Sequence, residues 1–211
     1  MKRLDGKSAL ITGSARGIGR GFAEAYVREG ATVAIADINL EAAEATAAEI
    51  GSGSYAVQID VSDQTSIDQA VAAVVAKAGK IDILINNAAL FDAAEVVDIT
   101  RQSFDKLYSV NVAGTLFTMQ AAAKQMIAQG QGGKIEHYRP RTPRQYNRRG
   151  KQRLSPAHPS QALYLSAPVQ ILQNLRVAAG DAENLQSRCL ASFKPFLQSH
   201  IVDLSSNEDN A

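Results

Sequence analysis

The chain is expected to fold as a three-layer α/β unit, a doubly wound parallel sheet with helices on both faces, and three features of its first 135 residues lead there. Short β-branched apolar runs alternate with longer alanine-rich stretches of helical period. A glycine-rich turn, Thr12-Gly-Ser-Ala-Arg-Gly-Ile-Gly19, separates the first apolar run from the first helical stretch. An acid, Asp37, closes the second run.

The first strand is read over Ser8 to Thr12, where Ala9, Leu10 and Ile11 form the unbroken apolar run of a strand covered on both faces. A helix over Ile18 to Arg28 follows. The second strand spans Thr32 to Ala36 and the second helix Leu40 to Ile50. The third strand, Ser54 to Ile59, leads to a helix over Gln64 to Ala78. Asp63 or Ser62 can cap it, because a side-chain oxygen there accepts from first-turn amides that have no partner. The fourth strand is Ile81 to Asn86, and one long helix, capped by Thr100, is expected from Arg101 to Ala128. A fifth strand begins near Lys134. Right-handed crossovers make the first three strands a βαβαβ half, with the fourth across the switch point.

After Ile135 the character changes. All six prolines and all three histidines lie beyond residue 136, whereas 13 of 15 glycines lie at or before Gly133. Residues 1–135 carry 12 Lys+Arg against 15 Asp+Glu, and residues 136–211 carry 10 against 6. Residues 138–153 hold seven basic residues in sixteen and two prolines, which suits solvated coil rather than a buried strand or an amphipathic helix. The expected organisation is therefore a dinucleotide-binding domain over 1–135 and an unrelated basic, Pro-containing segment over 136–211 in which the later strands are missing or replaced. Disorder, a shifted reading frame or a fusion would each produce such a break, and a divergent but genuine fold is the alternative.

Composition narrows the function classes. With 211 residues, 45% hydrophobic and a formal charge of +1, the chain can bury one core and has no global charge suited to nucleic acid or an anionic membrane. Nucleic acid is not expected as a partner, although Arg139 to Arg153 could act locally as a basic arm. One cysteine, Cys189, permits no intramolecular disulfide, and His137, His158 and His200 lack metal-ligand spacing, so no metal is expected. No stretch approaches the roughly 18 apolar residues of a membrane span. The chain reads as soluble and cytoplasmic.

Chemistry is concentrated at the carboxyl ends of the strands. In the glycine turn, Gly13 allows a tight bend, Gly17 lets backbone amides approach a pyrophosphate, and Gly19 removes a side chain where helix and strand pack. Asp37 can accept from both ribose hydroxyls and would repel a 2′-phosphate, which favours NAD over NADP; its plainer reading is a solvated strand-end acid. Asp60 can flank the adenine or simply form a turn.

The T-G-S-A-R-G-I-G loop, Asp37, Asp60-Val61, the run Asn86-Asn87-Ala88-Ala89 and Asn111 in N-V-A-G-T occur in the order and spacing of the short-chain dehydrogenase/reductase family, which the chain resembles over about 135 of its 211 residues. The wording A-D-I-N-L-E-A-A and N-N-A-A-L-F-D is most similar to the bacterial polyol (sorbitol or galactitol) dehydrogenases of that family. The resemblance implies a Rossmann-type fold and NAD as cofactor. It also implies an alcohol or ketone as small-molecule substrate, hydride transfer between a secondary alcohol and C4 of the nicotinamide, and homo-oligomers. It assigns cofactor binding to Gly13, Ser14, Arg16, Gly17, Ile18, Gly19, Asp37, Ile38, Asp60, Val61, Asn87, Ala88 and Ala89. Asn111 matches the family asparagine that holds a water in a proton relay, and is the one catalytic position carried over.

The family's base is a tyrosine whose pKa is lowered by a lysine four residues on, with a serine about 13 residues before it. Here Tyr138, Tyr146 and Tyr164 are followed at that spacing by Thr142, Gly150 and Pro168. Lys151 lies five residues after Tyr146, rotated by about 100° from the shared face, and no serine occurs between Ser109 and Ser155. The expectation is a dehydrogenase by descent that binds NAD and lacks the catalytic Ser, Tyr and Lys. The alternatives are an NAD-binding protein without turnover and a truncated or frameshifted dehydrogenase.

Overall fold

A computed structural model describes residues 2–92 and 94–138, with the backbone of 175–177. Strands β1 (Ser8–Thr12), β2 (Thr32–Asp37), β3 (Ser54–Gln58), β4 (Ile83–Asn86) and β5 (Gly133–His137) are parallel in the order β3-β2-β1-β4-β5. Leu175–Val177 forms a short β6, antiparallel to β5 across Gly133–Ile135. Sequence periodicity gave no sign of this strand. The remaining expectations for residues beyond Tyr138 lie outside the described residues.

The strands alternate between two cores, as the pleat dictates. Leu10, Ala34, Ala36, Leu84 and Ile135 pack with α3 (Gln64–Ala78) and α5 (Thr115–Ala128). Ala9, Ile11, Val33, Ile35, Ile83 and Ile85 pack with α1 (Gly17–Arg28) and α2 (Leu40–Ile50). Burial on both faces explains why β1, β2 and β4 read as continuous apolar runs. Asp63 caps α3 through Thr65 N and Ser66 N, and Asn39 caps α2 through Ala42 N.

The single helix expected over Arg101 to Ala128 is divided. It begins as α4 (Arg101–Tyr108), capped by Thr100, winds as a π-helix over Ser109–Gly114, and continues as α5. Two constraints coincide with the wider turn. The Asn111 carboxamide pairs with both backbone groups of Leu90, donating to Leu90 O at 2.9 Å and accepting from Leu90 N at 2.8 Å. Gly114 passes the loop after β3 so closely that a Cβ would lie 2.7 Å from Val61 O. At the far end of α5, Gln129 makes a similar clasp on Ile81, donating to its O at 2.7 Å and accepting from its N at 3.1 Å. The helix is thus fixed to both ends of the β4 segment.

Asp82 ties the opposite, amino edge of the sheet together. Its backbone N donates to Ser8 O, its O accepts from Lys134 N, and its carboxylate accepts from Ser8 N at 2.9 Å. Burial alone would push this carboxyl up, but the Ser8 amide, Lys80 at 3.0 Å and Lys7 at 3.4 Å outweigh it and hold it below the ordinary value. A lowered folded-state value means that the stabilisation is complete above the unfolded value of about 4 and disappears as pH falls through the folded one. Asp82→Asn is therefore expected to lose about 1–2 kcal/mol at pH 7, with a smaller deficit near pH 3. Urea unfolding at both pH values checks this, and an equal deficit at the two would contradict it.

Candidate functional site

The strand order reverses between β1 and β4, so their carboxyl ends flank the crevice where doubly wound sheets bind ligands. The glycine loop fills one wall. Gly13 has φ 63°, and a Cβ on it would sit 2.8 Å from Ala88 Cα, so the loop lies directly on the segment leaving β4. A Cβ on Gly19 would collide with Gly13 O and approach Asn87 Nδ2 to 2.5 Å and Ser14 Cα to 2.8 Å. Gly17 differs. It has φ 59°, and a Cβ there would meet nothing within 4 Å, so it faces open space.

Polar side chains fasten the loop. Asn87 Nδ2 donates to Thr12 O at 3.0 Å and Gly13 O at 2.9 Å, while Asn87 N and Ala88 N both donate to Thr12 Oγ1 at 3.1 Å. Ser14 N donates to Ala36 O. The fully buried Ser14 hydroxyl donates to Ile11 O at 2.7 Å and accepts from Ala36 N at 3.0 Å, so with its backbone N already bonded Ser14 serves the scaffold rather than a ligand. Ala15 N donates to Asp37 Oδ2 at 3.2 Å, and Ala15 O accepts from Thr46 Oγ1 at 2.6 Å.

Beyond that anchored stretch the helix end is open. Arg16 is extended and supplies no side-chain cap to α1, and the first bond of the helix is donated by Arg20 to Arg16 O. The amides of Arg16 to Gly19, which have no partner within the helix, and its positive end therefore lie at the open side of the loop around Gly17. This donor set fits the pyrophosphate of a dinucleotide, and the glycines leave the space it needs. The carboxylate of Asp37 is half-buried beside the loop and also accepts from Asn39 N at 3.2 Å. With two oxygens, it has capacity left for further donors. Arg16 is exposed, as are Ile18 at 52% and Ile38 at 63%, so one cation and two apolar side chains stand out from the loop and from the end of β2.

The remaining sequence candidates are distributed less evenly. Asp60 Oδ1 accepts from Ser62 N at 2.9 Å and Ser62 Oγ at 2.6 Å, a turn-forming arrangement, and Val61 is buried against Gly114. Asn86 donates to Thr115 O at 3.3 Å beneath the site. Ala88 and Ala89 lead from the loop contact to Leu90, which Asn111 clasps. Tyr138 is held by a bond from its N to Asn86 O, and its ring meets Phe22 of α1 edge-on at 5.3 Å between centroids. Tyr146, Lys151, Ser155 and Tyr164 lie outside the described residues. Thr12, Asn39 and Thr46 are functional to this geometry and were not singled out from the sequence. A signal did exist for Thr46, a hydroxyl at helical spacing from the buried Ala43 and one residue before the buried Ala47.

A family model described as short chain dehydrogenase matches residues 7–136. The sorbitol dehydrogenase of Cereibacter sphaeroides is 70% identical over 133 residues, and the galactitol 2-dehydrogenase of Agrobacterium fabrum is 50% identical over 133. Each match covers 63% of this chain and 52% of the relative. The chain thus spans about half the length of these curated relatives. Among solved structures, the 3-ketoacyl-(acyl-carrier-protein) reductase from Brucella melitensis complexed with NADH superposes with a TM-score of 0.61 at 36% identity, over 64% of this chain and 57% of that one.

Proposed function

This chain belongs to the short chain dehydrogenase family, and on that premise we propose that it binds NAD(H) at the carboxyl edge of its sheet and descends from polyol dehydrogenases. The observation that carries the reading is the pairing of Asp37 with an anchored glycine loop whose helix amides face open space. The amides of Arg16 to Gly19 would take the pyrophosphate, Asp37 would take the ribose hydroxyls, and Ile18 and Ile38 would offer apolar cover to the flat rings. When bound, the nicotinamide supplies the hydride chemistry. Asn87, Thr12 and Ser14 orient the loop, and Asn111 holds the segment after β4. Its carboxamide bonds both backbone groups of Leu90, and its main-chain O accepts from Thr115 Oγ1 at 2.9 Å, each with hydrogen-bonding capacity left for a relay water.

The reading divides the chain into a cofactor domain over 1–135 and a segment over 136–211 that does not complete the family's site. An alcohol or ketone is the substrate class, and the cytoplasm the setting. Among the described residues no helix is long and apolar enough to cross a membrane. An NAD-binding protein without turnover is the second reading, favoured by one observation: none of the six tyrosines has a lysine four residues later.

NAD preference tests the cofactor assignment. Calorimetric titration with both dinucleotides is expected to favour NAD. Asp37→Ala should narrow the NAD/NADP ratio by at least about ten-fold, since hydrogen bonds to a charged group are worth roughly 1.5–3 kcal/mol and Arg16 would remain as the nearby cation. Equal binding of the two by the unmutated chain would sink the assignment.

A further inference from the structure

We propose that Thr46, on α2 and 31 residues from the glycine loop, is a positioning residue for the dinucleotide: its bond to Ala15 O sets the direction of the next amide, that of Arg16. The inference rests on the cofactor reading above and deepens it. Thr46 is 4% exposed, and its hydroxyl donates to Ala15 O at 2.6 Å. In a trans peptide the carbonyl and the following N–H point in opposite directions within one plane, and no cis bond occurs in the described chain. Pulling Ala15 O toward α2 therefore turns the Arg16 N–H away from α2. The same residue is held on its other side, because Ala15 N donates to Asp37 Oδ2 at 3.2 Å. Both peptides flanking Ala15 are fixed, and they join the anchored part of the loop to its open part.

Two features separate this from ordinary core satisfaction. Ser14 and Thr12 already fasten the loop to β1, β2 and the end of β4, so Thr46 is not needed to keep it on the sheet. Thr46 acts instead at the last residue before Arg16, whose extended φ of −156° and ψ of 174° start the helix. Without its donor, the Ala15–Arg16 peptide can rotate, and the Arg16 amide joins the helix-end amides in the right direction only part of the time.

The test measures NADH affinity of the full chain by nicotinamide fluorescence, which is undisturbed by tryptophan because the sequence has none. Thr46→Val keeps the shape and removes the donor, and it is expected to weaken NADH binding about five- to ten-fold while lowering the melting temperature by a few degrees. Thr46→Ser keeps the donor and should bind within about two-fold of the unmutated chain. Thr46→Ala is read in place of the valine variant if that one fails to fold. Unchanged affinity in the valine or alanine variant overturns the proposal, as does an equal loss in the serine variant, since packing of the methyl group would then explain both. Failure of the unmutated chain to bind NADH overturns the cofactor reading itself, and this inference with it; it is distinguishable because it appears before any substitution is made.

Discussion

The 211-residue chain is expected to form NADH from sorbitol or galactitol about 10²- to 10⁴-fold more slowly than an enzyme with a complete site, the factor that general base catalysis typically contributes. The proton on the alcohol needs an acceptor, and a tyrosine of ordinary pKa near 10 is a phenolate in only about one molecule in a thousand at pH 7. The described fold moves two of its tyrosines the wrong way: burial pushes Tyr55 up to about 12, and burial with the nearby Glu136 raises Tyr26. A lysine on the same helix face would reverse that tendency, and none of the six tyrosines has one four residues on. Steady-state assays of the purified chain check the expectation. Robust turnover abolished by Tyr146→Phe would show that the pair with Lys151 is a working site.

Gly19→Ala is expected to have the largest effect on the fold and the cofactor site together. Its Cβ has no flexible neighbour that can move away: it meets Gly13 O, Ser14 Cα and the Asn87 amide that holds the loop. The helix start must shift, which is expected to destabilise by about 2–3 kcal/mol and to weaken NADH binding by roughly 100-fold or more. Gly21→Ala, two residues along the same helix with nothing within 4 Å of its Cβ, is the control and should be neutral or stabilising. Urea unfolding and NADH titration of the two variants decide the matter. If Gly19→Ala is as stable as the unmutated chain and binds equally well, the loop does not pack as described.

The inner sheet was legible because β1, β2 and β4 are buried on both faces, so their apolar runs stand out without alternation. The helices α2 and α3 were legible to their observed ends because Gly51 and Gly79 end them, Asp63 caps the second, and alanine fills both. The π-helix at Ser109–Gly114 was not legible, since a change in hydrogen-bond register leaves no mark on composition, and the contacts that accompany it, to Leu90 and Val61, are tertiary. The placement of the glycine loop between β1 and α1 and of Asp37 at the end of β2 was readable from the alternation of apolar runs and helical stretches. The inward commitment of the Ser14 hydroxyl and the turn around Asp60 depend on side-chain direction. Thr46 was concealed by its distance in sequence from the loop it serves. The short β6 pairs with β5 across a long interval that carries no strand signal.

The dinucleotide site proposed above draws its pyrophosphate and adenosine-ribose contacts from residues 1–135, whereas none of the six tyrosines has a lysine four residues later. Calorimetric titration of the full chain with NADH tests this most directly. The predicted result is saturable binding at one dinucleotide per chain, lost in Gly19→Ala and retained in Tyr146→Phe. Absence of saturable heat from a folded, unmutated chain would contradict it.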